Sequence, residues 1–406
     1  MARPAQVTHE RHAPDSDGRR STRELLDDCV HCGFCLPTCP TYVLWSEEMD
    51  SPRGRIHLMD AHLDGTVTLN ATVTEHFDRC LGCMACVTAC PSGVRYDLLI
   101  ESTRARVERE HRRPLGERAL RSLLFATLPH PRRLKVALTL VPLGRRAPGR
   151  LGTMARLAPA RRSDAGPPRL TPASEPKRGR VALLAGCVQR VAFGDVNAAT
   201  ARALAVEGWE VVVPRQGCCG ALSAHAGRAE EAKRFTDRLR RDLAGLPIAV
   251  NASGCGSYLK EHGLDAIDVA ELLQERPRGS LRPLPLRIAY QDSCHLRHAQ
   301  HLPAIWKPLL ARIPALTVGE PAEQDLCCGS AGVYNVLQPE AARELGDRKA
   351  ARVLETDPQA LVSANPGCLV QLSQALERAG RPLPALHPVE LLDASQRGVP
   401  ARDLLG

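Results

Sequence analysis

The sequence predicts a protein of mixed α+β and α/β class, with a helical N-terminal domain followed by two repeated α/β units that are rich in cysteine. Two cysteine motifs of the same spacing lie within the first hundred residues, and the other eight cysteines fall into two matching sets. In the second half, apolar runs alternate with Ala-rich helical patterns. A chain of 406 residues exceeds one domain, since domains usually hold about 100–200 residues. We expect parts at 20–110, 111–180, 181–283 and 284–396.

Composition argues against several classes of protein. Aromatic residues make up 3% of the chain, which disfavours a stacking surface for nucleic acid. The residues after Met1 are polar, and the pair Arg19 and Arg20 precedes an acidic stretch that is not typical of an export signal. Sixteen cysteines therefore indicate thiols in a reducing, cytoplasmic compartment rather than disulfides. The apolar runs are shorter than the roughly 18 residues that a membrane span needs.

The N-terminal domain carries the motif C-x2-C-x2-C-x3-C-P twice. Its positions are Cys29, Cys32, Cys35, Cys39 and Pro40, then Cys80, Cys83, Cys86, Cys90 and Pro91. Thiolates at this spacing suit an iron-sulfur cube, and in two-cluster ferredoxins the fourth cysteine of each motif binds the other cluster. We therefore expect two [4Fe-4S] clusters in a ferredoxin-type domain, on the crossed sets Cys29, Cys32, Cys35 and Cys90, and Cys39, Cys80, Cys83 and Cys86. Zinc sites need only C-x2-C pairs and leave the other cysteines unexplained.

The residues around the motifs suggest how the two loops are held. The prolines after the fourth cysteines are expected to end a short helix that begins at the third cysteine. A helix is predicted from Pro52 onward, with apolar side chains that pack the loops together. His31 is interpreted as a loop residue, because the four cysteines of each set are already complete.

The eight remaining cysteines define a repeat of roughly 110 residues. The first quartet is Cys187, Cys218, Cys219 and Cys255, and the second is Cys294, Cys327, Cys328 and Cys368. Because apolar runs end near cysteines, we expect the thiols at one edge of each sheet and the two units around a pseudo-twofold axis. Three interpretations stay open for each quartet: a further iron-sulfur cluster, a zinc ion, or thiols without metal. His295, His298 and His301, which follow Cys294, are interpreted as structural.

Positive charge is concentrated in one segment. Residues 111–162 hold thirteen Lys and Arg against the single acid Glu117, a net charge of +12 in a chain whose total is +9. Prolines interrupt its apolar pieces, so we predict a basic helical segment, with a Pro- and Gly-rich linker from residue 147 to 180. Such a segment either lies on an anionic membrane face or an acidic partner, or is a solvated connector.

The strings CVHCGFCLPTCPTY, SPRGRI and DRCLGCMACVTACPSGVRY, followed by two sets of GC, CCG and GC cysteines, resemble the iron-sulfur subunits of bacterial glycolate oxidase. The resemblance covers about residues 25–395 and implies two cysteine-rich CCG units after the ferredoxin-type domain. It also implies an electron-transfer subunit that serves FAD-containing partners, which oxidise glycolate to glyoxylate, and that passes the electrons toward a quinone. One departure is that Tyr258 and Gln371 stand where the CCG units of heterodisulfide reductase end in C-x2-C, so that enzyme's ligand set does not carry over.

Flavin and substrate are expected on partner subunits, since the sequence holds neither a G-x-G-x-x-G fingerprint nor a G-x4-G-K-[ST] loop. We expect no catalytic residue on this chain. Alternative functions are an iron-sulfur subunit of a lactate or glycerol-3-phosphate dehydrogenase, a thiol-disulfide reductase resembling heterodisulfide reductase, and a zinc-bearing assembly module. The expected location is the cytoplasm, at the periphery of the inner membrane face.

Overall fold

The computed structural model describes residues 20–144, 165–243, 245–274 and 278–405, together with residues 146, 152, 154, 155, 158 and 163. The opening residues, with Arg19, and most of the predicted linker before residue 165 lie outside the described residues. The described chain combines helices with two parallel sheets. The predicted mixed class is therefore confirmed.

The N-terminal part is helical and is built around the two cysteine motifs. Its helices are α1 Thr22–Leu26, α2 Pro40–Trp45, α3 Pro52–Leu63, α4 Ala71–Asp78, α5 Ala85–Ala89 and α6 Tyr96–Glu110, with a 3₁₀ turn at Glu48–Asp50. Helix α3 begins at Pro52 as predicted, and the Ser51 side chain caps it by accepting from the Gly54 N–H. For Pro40 the prediction was wrong. This residue begins α2 instead of ending a helix, because the first helical turn needs no N–H at that position.

The basic segment forms three short helices: α7 Leu115–Thr127, α8 Pro131–Thr139 and α9 Val141–Gly144. Two of its cations are buried. Arg113 donates to both carboxylate oxygens of Asp78 at 2.5 and 2.9 Å, and Arg121 donates to Glu117 at 2.8 Å. Arg121 also lies 3.5 Å from Asp78, so the contacts of both arginines with Asp78 fasten the segment to α4, and part of its charge is used within the fold.

The first repeat unit contains a five-stranded sheet in the order β1-β3-β2-β4-β5, in which β1 alone is antiparallel to its neighbour. The strands are β1 Leu170–Thr171, β2 Gly179–Leu183, β3 Trp209–Val212, β4 Ile248–Val250 and β5 Ala266–Asp268. The helices are α10 Val188–Ala192, α11 Gly194–Val206, α12 Ala221–His225, α13 Ala229–Asp242, α14 Ser253–Glu261 and α15 Val269–Gln274. Strand β1 and the start of β2 lie within the predicted linker.

The second unit repeats this topology with a parallel sheet in the order β7-β6-β8-β9. Its strands are β6 Leu286–Tyr290, β7 Leu316–Gly319, β8 Ala360–Val362 and β9 Ala385–Leu386. Its helical elements are a π-helical turn His295–Ala299 and helices α16 Lys307–Ala311, α17 Tyr334–Leu337, α18 Pro339–Leu354, α19 Pro366–Arg378, α20 Pro388–Arg397 and α21 Ala401–Leu405. Strands β2, β3, β4 and β5 thus correspond to β6, β7, β8 and β9.

The two units pack on one shared hydrophobic core. Leu183 and Val211 of the first sheet belong to the same buried cluster as Ile288 and Val362 of the second. The helix contacts are reciprocal, since α11 packs on α20 while α15 packs on α16. Helices α11 and α16 follow the first parallel strand of their units, and α15 and α20 follow the last. Each contact therefore joins a helix after a first strand to a helix after a last strand in the other unit, which is the pattern that a pseudo-twofold axis produces.

None of the helices that the structure describes combines the length and the apolar character that a membrane span requires. The domain boundaries near residues 110, 180 and 283 stay predictions.

A glycine follows each adjacent cysteine pair, and its conformation explains why no larger residue stands there. Gly329 has a φ of +88°, and a Cβ at this position would lie 2.6 Å from the Ala342 carbonyl oxygen. We expect Gly329→Ala to lower the free energy of unfolding by about 1–3 kcal/mol more than Gly263→Ala does, because the second glycine also has a positive φ but open space around it. Urea unfolding of the full chain measures both changes, and equal losses would contradict the proposed clash.

Candidate iron-sulfur sites

The N-terminal cysteines line two neighbouring cavities. One is lined by Cys29, Cys32, Cys35 and Cys90, and the other by Cys39, Cys80 and Cys83, while Cys86, Pro52 and Tyr96 line both. The fourth cysteine of each motif thus lies beside the first three of the other motif. These are the groupings that the crossed sets predict, and the shared lining places the two sites side by side.

The two cavities differ in their exposure to solvent. Cys32 is exposed, and its loop neighbours Val30 and Phe34 are 68% and 65% exposed. In the other set, Cys39, Cys80 and Cys83 are buried. One site therefore reaches the surface at an apolar loop, and the other lies inside the molecule.

A buried arginine lies beside the inner set. The Arg55 side chain is 1% exposed, and its Nη1 lies 3.9 Å from Cys39 Sγ. The remaining donors bind the His76 carbonyl oxygen at 2.6 Å, Thr41 Oγ1 at 3.1 Å and Asp50 Oδ1 at 3.4 Å. Asp50 is itself buried and also binds Arg79 at 2.9 Å. This network connects the first motif to α3 and α4.

The surroundings of Cys80 lower the pKa of its thiol. Burial alone would raise the pKa of this thiol, but the charges of Arg55 and Arg104 and two hydrogen bonds lower it below the ordinary value. The donors of those bonds are the Gly82 N–H at 3.4 Å and the Tyr96 hydroxyl at 3.8 Å. Burial raises the pKa of Cys35 in the outer set to about 11. A metal centre would therefore displace a proton more readily from Cys80 than from Cys35.

Each repeat brings its four cysteines together beyond the carboxyl ends of three parallel strands, with Cys255 and Cys294 partly exposed and the others buried. In the first unit, Cys187 Sγ lies 3.5 Å from Cys218 Sγ, and in the second, Cys294 Sγ lies 4.0 Å from Cys327 Sγ. These separations exceed the S–S bond length of about 2.05 Å, so the thiols are unbonded. The other members are within hydrogen-bonding reach, since Cys219 interacts with Cys255 and Cys328 with Cys368. The expectation that the thiols collect at one sheet edge is met by both quartets.

Both positions that lack the last cysteine of a C-x2-C ending are filled by large buried side chains. Tyr258 packs on Gly220 and shares a hydrogen bond of 3.2 Å with Thr236 Oγ1. Gln371 donates to the Ala342 carbonyl oxygen at 2.5 Å. Each quartet is therefore closed by a non-thiol residue one turn after its last cysteine.

The second quartet adjoins the inner N-terminal set. Cys83, Cys327 and Cys294 belong to one hydrophobic cluster, in which Leu81 and Leu345 also take part. Lys349 is fully buried near the second quartet and donates to the Glu323 carbonyl oxygen at 2.5 Å. At the corresponding turn of the first unit stands Leu239. The second quartet thus has both a thiol neighbour in the N-terminal domain and a nearby buried cation.

Two of the three histidines after Cys294 have separate roles in packing. His298 Nδ1 lies 3.0 Å from Thr88 Oγ1, which ties the second unit to α5, and its Nε2 lies 3.2 Å from the Asp325 carbonyl oxygen. His295 Nδ1 lies 3.6 Å from Cys294 Sγ, and its ring stands edge-on to that of His225, with centroids 5.3 Å apart. The sequence offered no signal for this contact, because the two histidines are seventy residues apart and belong to different units.

Among the described residues, no three Cys, His, Asp or Glu side chains converge on the position of a single metal ion. A tetrahedral zinc site would require such convergence, with each sulfur about 2.3 Å from the metal. The eight N-terminal cysteines instead line two cavities. This arrangement suits a group larger than one ion.

Comparison with known proteins agrees with the fold and the sites. The family model described as a 4Fe-4S dicluster domain matches residues 25–94, and the one described as a cysteine-rich domain matches residues 181–260 and 288–373. Fold and sites together define an iron-sulfur protein with a dicluster domain and two cysteine-rich repeats.

Two curated relatives define the family more narrowly. The probable glycolate oxidase iron-sulfur subunit of Bacillus subtilis is 34% identical, over 92% of this chain and 94% of that protein. The glycolate oxidase iron-sulfur subunit of Escherichia coli is 39% identical, over 86% of this chain and 90% of that protein. The chain belongs to the family of glycolate oxidase iron-sulfur subunits.

A solved structure shares the fold at low sequence identity. The crystal structure of a hypothetical protein from Helicobacter pylori superposes with a TM-score of 0.51 and 8% identity, over 95% of this chain and 79% of that chain. This likeness concerns the fold alone.

The Asp50 network leads to a prediction about stability. Asp50→Ala would leave Arg55 as a buried charge without its carboxylate, so we expect the free energy of unfolding to fall by about 3–5 kcal/mol. Glu75→Ala is the matched control, because Glu75 pairs with the same Arg79 but is 52% exposed, and its loss should cost less than about 1 kcal/mol. Denaturant unfolding of the cluster-loaded chain measures both. Similar small effects would show that the Asp50 network contributes little.

Proposed function

We propose that this chain is the electron-transfer subunit of a glycolate oxidase complex and that it holds two [4Fe-4S] clusters on the crossed cysteine sets. The observation that carries the proposal is the pairing of cavities, in which Cys90 completes the first set and Cys39 completes the second. When bound, clusters of this kind accept and release single electrons. The partners would be FAD-containing subunits that oxidise glycolate to glyoxylate, and the acceptor a quinone or another oxidant.

The difference in exposure supports a direction for electron flow. The loop with Val30, Cys32 and Phe34 is exposed and apolar, which suits a partner subunit that must approach the outer site closely. The inner set is enclosed by Arg55 and by the second repeat unit. We therefore place the flavin partner at the outer loop and the exit at the inner end.

For the two quartets, three interpretations stay open: a further iron-sulfur cluster, a zinc ion, or thiols without metal. Cys327 and Cys328 lie within hydrogen-bonding reach of each other as well as of Cys294 and Cys368, respectively, so the second quartet offers four neighbouring thiols to one group. The buried Lys349 supports the second quartet as an anionic site, since a cation there offsets the charge of bound thiolates.

We also propose that the basic segment contacts an anionic membrane surface. Its helices expose Leu115, Leu123, Val136, Leu140 and Leu143. Exposed cations on the same helices would bind anionic lipid headgroups, each contributing about 1 kcal/mol near the surface. The apolar side chains would add a shallow insertion.

The crossed assignment predicts a specific pattern of iron loss. Cys39→Ala with Cys83→Ala should remove about four irons, because both residues belong to one proposed cluster. Cys39→Ala with Cys32→Ala should remove about eight, because it disables both clusters. Iron and sulfide analysis of the anaerobically reconstituted chain measures the losses relative to wild type. The reverse pattern would mean that each motif binds its own cluster, and zinc in place of iron would refute both assignments.

A second prediction concerns catalysis. The reconstituted chain alone should not oxidise glycolate with an artificial acceptor, because the flavin is expected on the partners. Adding the flavin subunits should give glycolate-dependent bleaching of the cluster absorbance. Turnover by the isolated chain would overturn the assignment as a relay.

A third prediction tests the basic segment. Replacing Arg132, Arg133 and Lys135 with Gln should reduce sedimentation with anionic vesicles, as should raising the salt from 0.1 to 1 M, which shortens the Debye length from about 10 to about 3 Å. The control replaces Lys233, Arg238 and Arg241 with Gln, which removes three cations from α13, outside the basic segment. Equal binding of both variants, or no response to salt, would leave the segment as a connector.

A further inference from the structure

A cleft lies between the end of helix α6 and the start of helix α7, where the N-terminal domain meets the basic segment. Its volume is about 420 Å³, which is within the range of about 300–1,000 Å³ that small-molecule sites occupy. Four of the six residues that line it are arginines. The lining consists of Glu108, Arg109, His111, Arg112, Arg113 and Arg118. An anion is the kind of ligand that such a lining suits.

The four arginines differ in whether the protein already neutralises their charge. The side chain of Arg113 is 7% exposed and binds the carboxylates of Asp78, Glu108 and Glu117. The other three arginines of the lining are exposed, and their side chains form no ion pair or hydrogen bond with any residue that the structure describes. They are Arg109, Arg112 and Arg118. Because the one acid of this lining is engaged by Arg113, three positive charges at the cleft lack a carboxylate partner.

Local helix stability accounts for at most one of these three cations. Arg109 lies in the last turn of α6, where a positive charge interacts favourably with the helix dipole. Arg118 is the fourth residue of α7, where the dipole disfavours a positive charge, and Arg112 lies in the loop between the helices. Like charges placed together repel each other. An anion bound in the cleft would therefore relieve this repulsion.

His111 adds a directed hydrogen-bonding group to the lining. Its Nδ1 lies 3.0 Å from the Leu69 carbonyl oxygen, and because a carbonyl oxygen can only accept, Nδ1 carries a proton. This bond fixes the orientation of the ring. It leaves Nε2 as the ring nitrogen that can accept a hydrogen bond from a hydroxyl group of a ligand.

Exposed apolar side chains beside the cleft favour a lipid over a soluble anion. Leu115 is 80% exposed and precedes Arg118 by three residues on α7, so the two side chains are neighbours on the helix surface. Leu123, which is 51% exposed, lies eight residues after Leu115 on the same face. A cation next to exposed leucines suits a ligand whose anionic group continues into an acyl chain. A soluble anion would leave these leucines in water.

We propose that this cleft binds the phosphate headgroup of an anionic phospholipid, while the exposed leucines of α7 contact its acyl chains. Guanidinium groups suit phosphate because their N–H donors match two of its oxygens at once. The inference rests on the proposed contact between the basic segment and an anionic membrane, and it names the site and the lipid group for that contact. It also orients the molecule, with the junction of α6 and α7 toward the membrane.

The test compares two charge-matched variants of the full, cluster-loaded chain by sedimentation with vesicles of phosphatidylglycerol and phosphatidylcholine. The cleft variant replaces Arg109, Arg112 and Arg118 with Gln, and the segment variant replaces Arg132, Arg133 and Lys135 with Gln. We expect the cleft variant to bind about 100-fold more weakly than wild type, since each cation near an anionic surface contributes about fivefold. The segment variant should lose less, because its cleft is intact. Iron content should be unchanged in both.

Glycerophosphoglycerol, which is the headgroup of phosphatidylglycerol without its acyl chains, gives a second readout. At matched ionic strength it should displace wild type and the segment variant from the vesicles. The residual binding of the cleft variant should not respond to it. Leu115→Ser changes no charge, so it should weaken vesicle binding but leave the response to glycerophosphoglycerol as in wild type.

The outcomes separate this inference from the proposed membrane contact. If the two variants bind vesicles equally, or if glycerophosphoglycerol does not displace wild type, the cleft is not a headgroup site. The membrane contact would still stand in that case if salt and the segment variant reduce binding. If wild type does not bind these vesicles at all, the membrane contact fails and the headgroup site fails with it.

Discussion

The N-terminal domain depends on the positive charge of Arg55, which is buried beside the cysteines of the inner set. Four thiolates removed from water are costly unless a cation or hydrogen-bond donors compensate them. Arg55 lies next to Cys39 and lowers the pKa of Cys80, and its other donors are taken by α4, Thr41 and Asp50. Because these groups come from both cysteine motifs and the helix between them, one side chain holds the motifs in register. The two loops are therefore one folding unit.

The two repeat units differ in whether a buried cation lies beside their cysteines. Both quartets form at the carboxyl edge of a parallel sheet, where consecutive strand ends collect residues that are distant in sequence. The glycine after each cysteine pair lets the chain turn against the following helix at a positive φ. Yet the second unit alone has the buried Lys349 and the contact between Cys327 and Cys83, while the first has Leu239 at the corresponding turn. The same scaffold thus gives two different sites. The second quartet adjoins the inner N-terminal cysteines, and the first quartet lies farther from them.

The spacing of the cysteines made much of this arrangement predictable from the sequence. Motifs with periods of three residues and repeats of equal length are local signals, so the sequence alone predicted the grouping of Cys39 with Cys80 and the two parallel units. What it did not predict depends on contacts between distant segments. Nothing in the basic segment indicated that Arg113 and Arg121 would be buried against Asp78, because a charged residue carries no mark of its partner. The role of Arg55 was equally hidden within the string SPRGRI, and Pro40 was misjudged because a proline both ends and begins helices.

The pseudo-symmetry of the repeats has a consequence for chemistry as well as for packing. Residues that diverge after a duplication are still presented to the same space when they follow the same cysteine pair. His225 and Tyr334 are such a pair, one an imidazole and one a phenol, and both line a small cavity together with Cys80. Each unit therefore contributes to this cavity one polar group that is unpaired among the described residues. The N-terminal domain and α7 cover this side of the two units. The chain therefore has an exposed apolar loop at the outer cysteines and a small polar cavity at the inner ones.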